Sequence, residues 1–528
     1  MKYVALNPEY VLKNDFGRVL IMTKDPLRTL EPVIESTIHP IHAMILSFFT
    51  GKTSFSDAVN EASIFLQTDK DIISSFCTKI LENTQNIGVK IDSENILIFP
   101  RKTLVSSNSP ISRTIYDYKK FNYNSLRIKT DRHYTPSRLT FMVTTKCYTD
   151  CIYCYANRKQ PSSHLLPFER VKAIIKEARD LGVVSFDVIG GEFFKYPKWK
   201  QMLTVLFQYG YNPYISTKVP ITKEDVKFLK KIGVKDIQVS LDTLIPKNIV
   251  SLIRVKETYV AKIKETINCL EEYGIDVQIH TILTSLNNST EDMDSLLEFF
   301  SKKENIISWK IDYAASPIYE KRTNYEKVKI DRDSLKTISL YFEELKKHNL
   351  KFRIVSGNLD LNENPTPNDM TSESKKLYFT KKRPIFCSAN FSSLFILPDG
   401  KVTICEELYW NETFIIGDLN NQTLLDVWNS SKAKDLYYID KKRISCKSPC
   451  YSCSIFKECR EEYGGVCWKE IIKVFGKDKW DYPDPRCPKA GIVNAKDYVY
   501  FFLLFFSVSS ISHFLDEKGN TYRNYFAT

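Results

Sequence analysis

The stretch TTKCYTDCIYCY, residues 144–155, places Cys147, Cys151 and Cys154 directly after a predicted strand, Leu139–Thr144. The C-x3-C-x2-C spacing puts three thiols on one loop at the carboxyl end of that strand. Three cysteine thiolates can bind three irons of a [4Fe–4S] cube, which leaves the fourth iron for an external ligand. A structural zinc site would need a fourth protein ligand, and none is close by in the sequence. The stretch therefore predicts an iron–sulfur site with one open iron.

The chain around this motif has 528 residues, of which 13 are cysteines and 43% are apolar. At about 150 residues per domain, this length predicts about three domains. Disulfide-rich scaffolds are short secreted chains, and the first thirty residues lack a basic-then-apolar signal peptide. We therefore expect a cytoplasmic protein whose clustered cysteines bind metal. Only Cys77 and Cys269 stand alone, and we expect both to be inert thiols within helices.

The charge of the chain is unevenly distributed. The formal net charge is +12, whereas residues 1–100 carry 9 basic and 12 acidic side chains, a net charge of −3. No run of Lys and Arg is dense enough for a nucleic-acid-binding motif. We therefore expect no nucleic-acid partner.

Strands alternate with helices from residue 139 onward. The predicted strands are Leu139–Thr144, Ser185–Ile189, Pro213–Ser216, Asp236–Leu241, Val277–Leu283 and Ser308–Ala314. The predicted helices are Phe168–Leu181, Lys198–Tyr209, Glu224–Ile232, Lys256–Tyr273, Thr290–Lys303 and one after Asp331. Six β/α units predict an α/β fold of parallel strands with right-handed crossovers, as an open sheet or a partial barrel. Functional residues should then lie at the carboxyl ends of the strands.

The cysteine loop resembles the motif of the radical S-adenosylmethionine (SAM) superfamily, in which the amino and carboxylate groups of SAM chelate the open iron. The resemblance implies a partial, TIM-like (β/α)6 barrel over residues 138–350. It also implies that Tyr153, before the last cysteine, lies against the adenine of SAM. The motif Gly190-Gly191-Glu192 resembles the family's Gly-Gly-Glu, in which glycine backbone and a carboxylate hold the methionine ammonium.

Further similarities to this family fall at later strand ends. Ser216 ends the third strand, and Ser240 and Asp242 resemble the pair that contacts the ribose of SAM. Asn287, after the fifth strand, is a further candidate, with a turn or helix cap as its alternative role. The resemblance implies that one electron from the reduced cluster cleaves SAM to methionine and a 5′-deoxyadenosyl radical, which abstracts a hydrogen atom from the substrate.

A second field of cysteines lies in residues 383–490. Its members are Cys387, Cys405, Cys446, Cys450, Cys453, Cys459, Cys467 and Cys487. The field resembles the SPASM extension, named for subtilosin, pyrroloquinoline quinone, anaerobic sulfatase and mycofactocin maturation, which holds two auxiliary iron–sulfur clusters. A zinc ribbon is the alternative for a single C-x2-C pair taken alone. The resemblance implies three [4Fe–4S] clusters in the chain.

The same resemblance implies which thiols serve which auxiliary cluster. The first cluster would take Cys387, Cys405 and Cys467, and the second Cys450, Cys453, Cys459 and Cys487. The spacing from Cys459 to Cys467 is longer than is usual in the family, and Cys446 is an extra thiol. Cys446 either completes the first cluster, which we favour, or is a spare.

Glu406 directly follows Cys405, where sulfatase-maturing members of the family carry an aspartate that acts as a base. Glu406 is therefore a candidate catalytic base, with a solvated carboxylate as the alternative interpretation.

Residues 1–100 predict a small separate domain. A hairpin over Tyr10–Lys24, three short helices and a terminal wing over Val89–Phe99 resemble the winged-helix element that recognises leader peptides in ribosomal-peptide maturation. The resemblance implies that a leader peptide adds a strand to an exposed hairpin edge. Binding of the leader would raise the effective concentration of the peptide's core at the radical site.

Two further segments have no motif. Residues 101–137 lack periodicity and predict a linker. The tail, residues 491–528, contains Tyr498–Leu515, which has no charged side chain for eighteen residues but includes several serines. A helix packed on the core or on a partner fits this composition better than a membrane span.

Together these features predict an enzyme that modifies a ribosomally made precursor peptide, most plausibly through a C–C or thioether crosslink between side chains. SAM would be a cofactor, and ferredoxin or flavodoxin the electron donor. Two alternatives stay open. One is a maturase that oxidises Cys or Ser to formylglycine, and the other is an electron-transfer protein, which would not need Glu192, Ser240 and Asp242.

Overall fold

The structure is a computed structural model. It describes residues 2–29, 33–91, 96–121, 124–128, 131–156, 164–318, 323–357, 387–462 and 466–490, together with two short strands near residue 518. The chain divides into two units. The first comprises Met1–Ser137, Leu181–Ser185 and Val508–Thr528, and the second comprises Arg138–Asp180 and Phe186–Ser507.

The first unit is built from small antiparallel sheets and short helices. Before residue 108 its strands are β1 Tyr3–Leu6, β2 Tyr10–Asn14, β3 Val19–Thr23, β4 Glu35–Ile38, β5 Thr50–Ser54, β6 Ile87–Lys90, β7 Ile96–Phe99 and β8 Leu104–Ser107. They form sheets of order β5-β1-β8 and β2-β3-β4 and the hairpin β6-β7. Its helices are α1 Pro40–Phe48, α2 Phe55–Leu66 and α3 Lys70–Ile80.

Side-chain caps mark where the three helices of the first unit begin. The side chains of His39, Ser54 and Asp69 each accept a hydrogen bond from a backbone N–H of the first turn, so each caps its helix. Apolar side chains of the helices and strands, among them Phe49 and Phe99, then form one buried core. Hairpins are present at both predicted positions, Tyr10–Lys24 and Val89–Phe99, as β2–β3 and β6–β7, whereas β1, β4, β5 and β8 were not predicted.

Residues 101–137, expected to be a linker, belong to the first unit. Strand β8 pairs with β1, and the hydroxyl of Tyr116 accepts a hydrogen bond of 2.8 Å from the backbone N–H of Leu12. Arg18, which is fully buried, forms ion pairs with Asp15 and with Asp131 at 2.8 and 2.9 Å. These polar contacts leave no periodic pattern in the sequence, which is why the stretch resembles a linker.

The second unit contains two five-stranded sheets. The first sheet is entirely parallel, in the order β11 Ser216–Thr217, β12 Asp236–Ser240, β13 Asp276–Leu283, β14 Ile306–Tyr313 and β15 Arg353–Ser356. The second sheet has the order β10 Ser185–Ile189, β9 Arg138–Met142, β16 Ser393–Ile396, β17 Lys401–Thr403 and β18 Ile415–Asp418. The predicted α/β class is confirmed, and all six predicted strands are present.

Helices connect these strands. They are α4 Phe168–Asp180, α5 Trp199–Gln208, α6 Lys223–Ile232, α7 Pro246–Ile253, α8 Tyr259–Glu272, α9 Thr290–Ser301, α10 Thr323–Glu326, α11 Arg332–Leu345, α12 Leu424–Trp428, α13 Ser431–Tyr437 and α14 Trp468–Phe475. Helices α7, α10 and α12–α14 and strands β15 and β18 were not predicted. The third strand begins later than predicted, because Pro213 has no N–H to donate to a ladder.

A hairpin joins the second cysteine field to the sheet that carries the first. Strand β16 pairs in parallel with β9, and the turn Pro398–Gly400 returns the chain to β17, which runs antiparallel to β16. Gly400 has a φ of +91°, a conformation that favours glycine. The strand before the Cys147 loop and the strand before Cys405 therefore lie in one sheet.

The predicted helix over Tyr498–Leu515 lies outside the described residues, apart from its last two. Those two residues form β19, Phe514–Leu515, which pairs with β20, Thr521–Tyr522. None of the helices in the described ranges combines the length and the apolar composition needed to cross a bilayer.

Candidate functional site

The Cys147 loop leaves the carboxyl end of β9 and is held by the end of helix α7. The backbone N–H groups of Asp150 and Ile152 donate to the carbonyls of Ile253 and Leu252, at 3.0 and 2.9 Å. The guanidinium of Arg254 pairs with the Asp150 carboxylate at 2.5 Å. Helix α7 therefore fixes the loop between its first and last cysteines.

The thiols of this loop gather around one hydroxyl. Thr149 Oγ1 lies 3.3 Å from Cys147 Sγ and 3.4 Å from Cys151 Sγ. Burial raises the pKa of the Cys151 thiol, and the Lys218 ammonium and Thr149 act in the opposite direction. A buried thiol of this kind becomes a thiolate when a metal binds it. The three soft ligands on one short loop fit an iron–sulfur cluster.

The Gly190-Gly191-Glu192 segment lies directly against this loop. The backbone N–H of Gly191 donates to the carbonyl of Thr144 at 2.7 Å. A Cβ atom at Gly191 would lie only 2.5 Å from the carbonyl oxygens of both Thr145 and Lys146. Position 191 therefore requires glycine, because the cysteine loop passes too close for any side chain.

Glu192 is held in a fixed orientation at this site. Its side chain is 3% exposed, and its carboxylate accepts hydrogen bonds from Thr217 Oγ1 and from the backbone N–H groups of Phe194 and Lys218, at 3.0–3.2 Å. Burial raises the pKa of the Glu192 carboxyl, and these hydrogen bonds oppose the shift. The carboxylate is therefore positioned to receive a cationic group such as an ammonium.

A buried polar network lies beside Cys151. Asp242 is fully buried, and its Oδ2 accepts hydrogen bonds from the Tyr153 hydroxyl and, at 2.8 Å, from Lys218 Nζ. Lys218 Nζ also donates to the Tyr153 hydroxyl at 2.7 Å. Burial lowers the pKa of Lys218, but Asp242 and Cys151 raise it by more, so the net pKa lies above its ordinary value.

Lys218 was not among the predicted site residues. It follows β11 at the expected strand end, and the lysine type alone carries no signal there. Its ammonium donates hydrogen bonds to Tyr153 and Asp242, which lie 65 and 24 residues away in the sequence, so only the tertiary structure shows that it belongs to this network.

The other predicted SAM contacts divide into two kinds. Ser216 and Ser240 are half-buried at the ends of β11 and β12, and the Ser240 hydroxyl accepts a hydrogen bond of 2.7 Å from Gln238. Asn287 is fully buried. Its amide oxygen accepts hydrogen bonds from the backbone N–H and the hydroxyl of Thr284, and its amide nitrogen donates to the carbonyls of Ile282 and Asp242. Asn287 therefore ties neighbouring strand ends together.

The first auxiliary set brings together Cys387, Cys405 and Cys467. Burial raises the pKa of each thiol, and Cys387 is near enough to the other two to raise their pKa values further. The Lys469 ammonium, on helix α14, opposes all three shifts. Lys469 is 2% exposed and forms an ion pair with Glu407.

Glu406 lies beside this set and faces the Cys147 loop. Burial, together with the neighbouring Glu407, raises the pKa of the Glu406 carboxyl to about 7, and Lys469 opposes the shift. Glu406 is in turn the largest cause of the raised pKa at Tyr155, the residue after Cys154. The predicted base is therefore close to the first cysteine loop in space.

The second auxiliary set lines one recess. Its members are Cys450, Cys453, Cys459 and Cys487, and Arg460 lies on the same wall. Nη2 of Arg460 approaches Cys450 Sγ at 3.8 Å, and Nη1 has no hydrogen-bond partner among the described residues. Four soft thiols and a buried cation fit an anionic iron–sulfur cluster.

Cys446 differs from the other cysteines of this field, because it is exposed and lines neither auxiliary recess.

In the described ranges, no group of three His, Cys, Asp or Glu side chains is close enough to hold a single metal ion. Ligands of a cube bind different irons and lie further apart, so the thiol groups fit clusters rather than single ions.

Two parts of the chain match known domain families. Residues 141–300 match the radical SAM superfamily, and residues 387–454 match the iron–sulfur cluster-binding domain called SPASM. The second unit therefore carries a radical SAM domain and a SPASM domain, as the cysteine spacing predicted.

Curated relatives cover only part of the chain. The GTP 3′,8-cyclase of Campylobacter jejuni is 29% identical over 178 residues, which is 31% of this chain and 52% of the cyclase. The subtilosin biosynthesis protein AlbA of Bacillus subtilis is 22% identical over 317 residues, 59% of this chain and 63% of AlbA. The chain thus spans about half the length of the cyclase.

A solved structure covers nearly the whole chain. Streptococcus suis SuiB, bound to its precursor peptide SuiA, matches 92% of this chain and 99% of SuiB, with a TM-score of 0.58 and 19% identity. SuiB bound to S-adenosylmethionine matches equally well. At this identity the similarity shows a shared fold.

Proposed function

We propose that this chain, with its radical SAM and SPASM domains, is an enzyme that modifies a ribosomally made precursor peptide by forming a side-chain crosslink. Cys147, Cys151 and Cys154 would hold an iron–sulfur cluster, which would supply the electron for the reductive cleavage of SAM. One observation carries the proposal: the Cys147 loop, Gly191 and the oriented carboxylate of Glu192 meet at the carboxyl ends of the strands.

In this proposal the radical SAM domain binds and orients the cofactors. Cys147, Cys151 and Cys154 hold the first cluster, and Glu192 receives the methionine ammonium. Tyr153 lies against the adenine, and its hydroxyl is fixed by Asp242 and Lys218. Ser216, Ser240 and Asn287 complete this end of the strands, where Asn287 acts by holding Asp242 and β13 in place.

The SPASM region would hold two auxiliary [4Fe–4S] clusters on the two thiol sets. Cys446 stays the candidate fourth ligand of the first auxiliary cluster, although it is the exposed cysteine of the field. Glu406 would act as the base that accepts a proton from the substrate, because its carboxyl lies close to both Cys405 and Tyr155.

The first unit would hold the leader of the precursor peptide. Strand β6 pairs only with β7 among the described strands, so its other edge can accept a peptide strand. Apolar side chains in the same unit are strongly exposed, with Ile64 at the end of α2 at 70% and Ile72 on α3 at 64%. In this proposal they would contact alternate side chains of the bound leader.

The central experiment measures SAM cleavage. Reconstituted protein with dithionite and SAM should yield 5′-deoxyadenosine, and the variant with Cys147, Cys151 and Cys154 all changed to Ala should yield none. The parent protein should contain about twelve irons if all three clusters are [4Fe–4S]. Fully reconstituted protein that forms no 5′-deoxyadenosine would remove the proposal.

A second experiment tests the peptide as substrate. The Ile72→Glu variant should bind the leader at least about tenfold more weakly, because a charge replaces an apolar contact of roughly 1.5–3 kcal/mol. Leu340→Glu is the matched control, since Leu340 is also 62% exposed but lies in the second unit. Equal leader affinity in both variants would exclude this surface. The precursor itself should be encoded next to the gene.

A further inference from the structure

Arg460 occupies an unusual place between the two auxiliary thiol sets. It lies in a π-helical turn, Lys457–Glu462, directly after the ligand candidate Cys459. Its side chain is only 2% exposed. Single π-helical turns occur mainly where a function requires the irregular geometry.

The guanidinium forms part of two separate recesses. One recess is lined by Cys387 and by Phe391, Tyr437 and Trp468, and the other by Cys450, Cys453, Cys459 and Cys487. Arg460 and Val466 line both. Arg460 therefore lies between a recess that contains Cys387 of the first auxiliary set and a recess that contains the second set.

The described residues satisfy only part of the hydrogen-bonding capacity of the Arg460 guanidinium. Nη2 donates to the carbonyl of Tyr482 at 2.6 Å, and the guanidinium lies 5.2 Å from the ring centre of Trp468. Nη1 has no hydrogen-bond partner, and no carboxylate pairs with Arg460, within the part of the chain that the structure describes. A buried charge without a counter-charge is strongly unfavourable.

Three other cations of the second unit have a carboxylate partner. Lys218 pairs with Asp242 at 2.8 Å, and Arg486 pairs with Asp484 at 2.5 Å. Lys469 pairs with Glu407. The contrast indicates that the counter-charge for Arg460 is a bound anion at the cysteine-lined recesses.

We propose that Arg460 is the counter-ion shared by the two auxiliary iron–sulfur clusters. This inference rests on the proposed function, because it requires clusters on both thiol sets. Net charge and hydrogen bonds to sulfur set the reduction potential of such clusters. A cation in a low-dielectric site stabilises the more negative, reduced form, so Arg460 raises the potentials of both clusters together.

The test compares Arg460→Gln, which keeps hydrogen-bond donors but loses the charge, with Arg460→Lys, which keeps the charge. Both are made in full-length protein that carries Ala at positions 147, 151 and 154, so that only the auxiliary clusters are present. Redox titration followed by electron paramagnetic resonance reports each cluster. Arg460→Gln should lower the reduced-to-oxidised ratio of each cluster at least tenfold when the ratio is measured at the midpoint potential of that cluster in the parent protein. For a one-electron couple, this corresponds to a midpoint potential lowered by about 59 mV.

Arg460→Lys should stay within a few-fold of the parent at both clusters. Lys489→Gln is the matched control, because Lys489 is an exposed cation that lines only the second recess. It should leave both potentials unchanged. A shift at one cluster alone, or equal shifts in the Gln and Lys variants, would overturn the proposal.

Cluster content gives a second measurement if Arg460→Gln loads poorly. Retention of both clusters in the Lys variant and their loss in the Gln variant would support the shared charge, whereas equal loss in both would overturn it. Parent protein without auxiliary iron would overturn the auxiliary-cluster part of the proposed function as well. Full iron with unmoved potentials would overturn the role of Arg460 alone.

Discussion

The SAM site and the auxiliary region differ in how their buried charges are balanced. At the SAM site, Asp242 is satisfied by Lys218, by Tyr153 and by the backbone N–H of Ile282, and Glu192 accepts three hydrogen bonds. In the auxiliary region, Nη1 of Arg460 has no described hydrogen-bond partner. The carboxylate oxygens of Glu470 also accept no hydrogen bond from the described residues, although Lys469 lies 3.8 Å away.

This difference has a physical meaning. Parallel strands and their connecting helices hold the SAM site through backbone hydrogen bonds, so its geometry exists before any cofactor binds. The auxiliary region has short elements and contains Arg460, for which we propose a cluster as the counter-charge, so we infer that its stability depends on metal. Four predictions test this comparison.

The largest effect should come from removing iron from the auxiliary region. After treatment with an iron chelator, limited proteolysis should cut within residues 387–490 and leave the strands β12–β14 protected, as mapped by mass spectrometry. The variant with Ala at positions 147, 151 and 154 is the control, because it lacks only the first cluster and should keep the parent's pattern without chelator. Equal protection of both regions after chelation would break the comparison.

The next effect concerns the buried pair at the SAM site. Lys218→Met should lower the free energy of unfolding by about 3–5 kcal/mol, because it leaves the Asp242 carboxylate buried without its cation. The double variant Lys218→Met/Asp242→Asn should recover part of this loss, since it also removes the anion.

Lys303→Met is the matched control for that pair. Lys303 pairs with Glu271 at 2.9 Å, and its side chain is about as exposed as that of Lys218, but Glu271 is 28% exposed whereas Asp242 is fully buried. The control should therefore cost only about 1 kcal/mol. Denaturant unfolding gives the free energy of unfolding of all three variants. Equal losses of this free energy in Lys218→Met and Lys303→Met would contradict the special role of the SAM-site pair.

A smaller effect is expected at Gly191. Gly191→Ala should destabilise the protein by about 1–3 kcal/mol, because the new methyl group overlaps the carbonyls of Thr145 and Lys146. It should also displace the Cys147 loop and reduce loading of the first cluster, measured as iron per chain. Gly210→Ala is the control, since nothing lies within 4 Å of a Cβ there, although its φ of +79° adds some strain. Unchanged loading in Gly191→Ala would show that the loop tolerates displacement.

An effect no larger than this, about 1–3 kcal/mol, should follow from Asn287→Ala, because it leaves the backbone N–H of Thr284 without its acceptor and the carbonyl of Asp242 without its donor. We expect the KM for SAM to change little if Asn287 acts only on the strand ends. A large rise in KM with an unchanged free energy of unfolding would instead make Asn287 a direct SAM contact.

Much of the fold follows from local patterns in the sequence. The six strands and their helices are visible because apolar residues recur with the period of each element. The cysteine loop is visible because its three ligands lie within eight residues. Helix α7 was missed, because it is short and follows β12 without a capping side chain. It nevertheless holds the loop through Leu252 and Ile253.

The sequence by itself determined the α/β class and, through the resemblance of its cysteine motifs, the radical SAM and SPASM domains, because residue type and spacing carry those signals. Tertiary structure decided the rest. It joined Lys218 to Tyr153 and Asp242, made residues 101–137 part of the first unit, and put Arg460 on the wall of two recesses. These contacts join polar residues distant in sequence, and burial makes them energetically important while leaving no periodic signal along the chain.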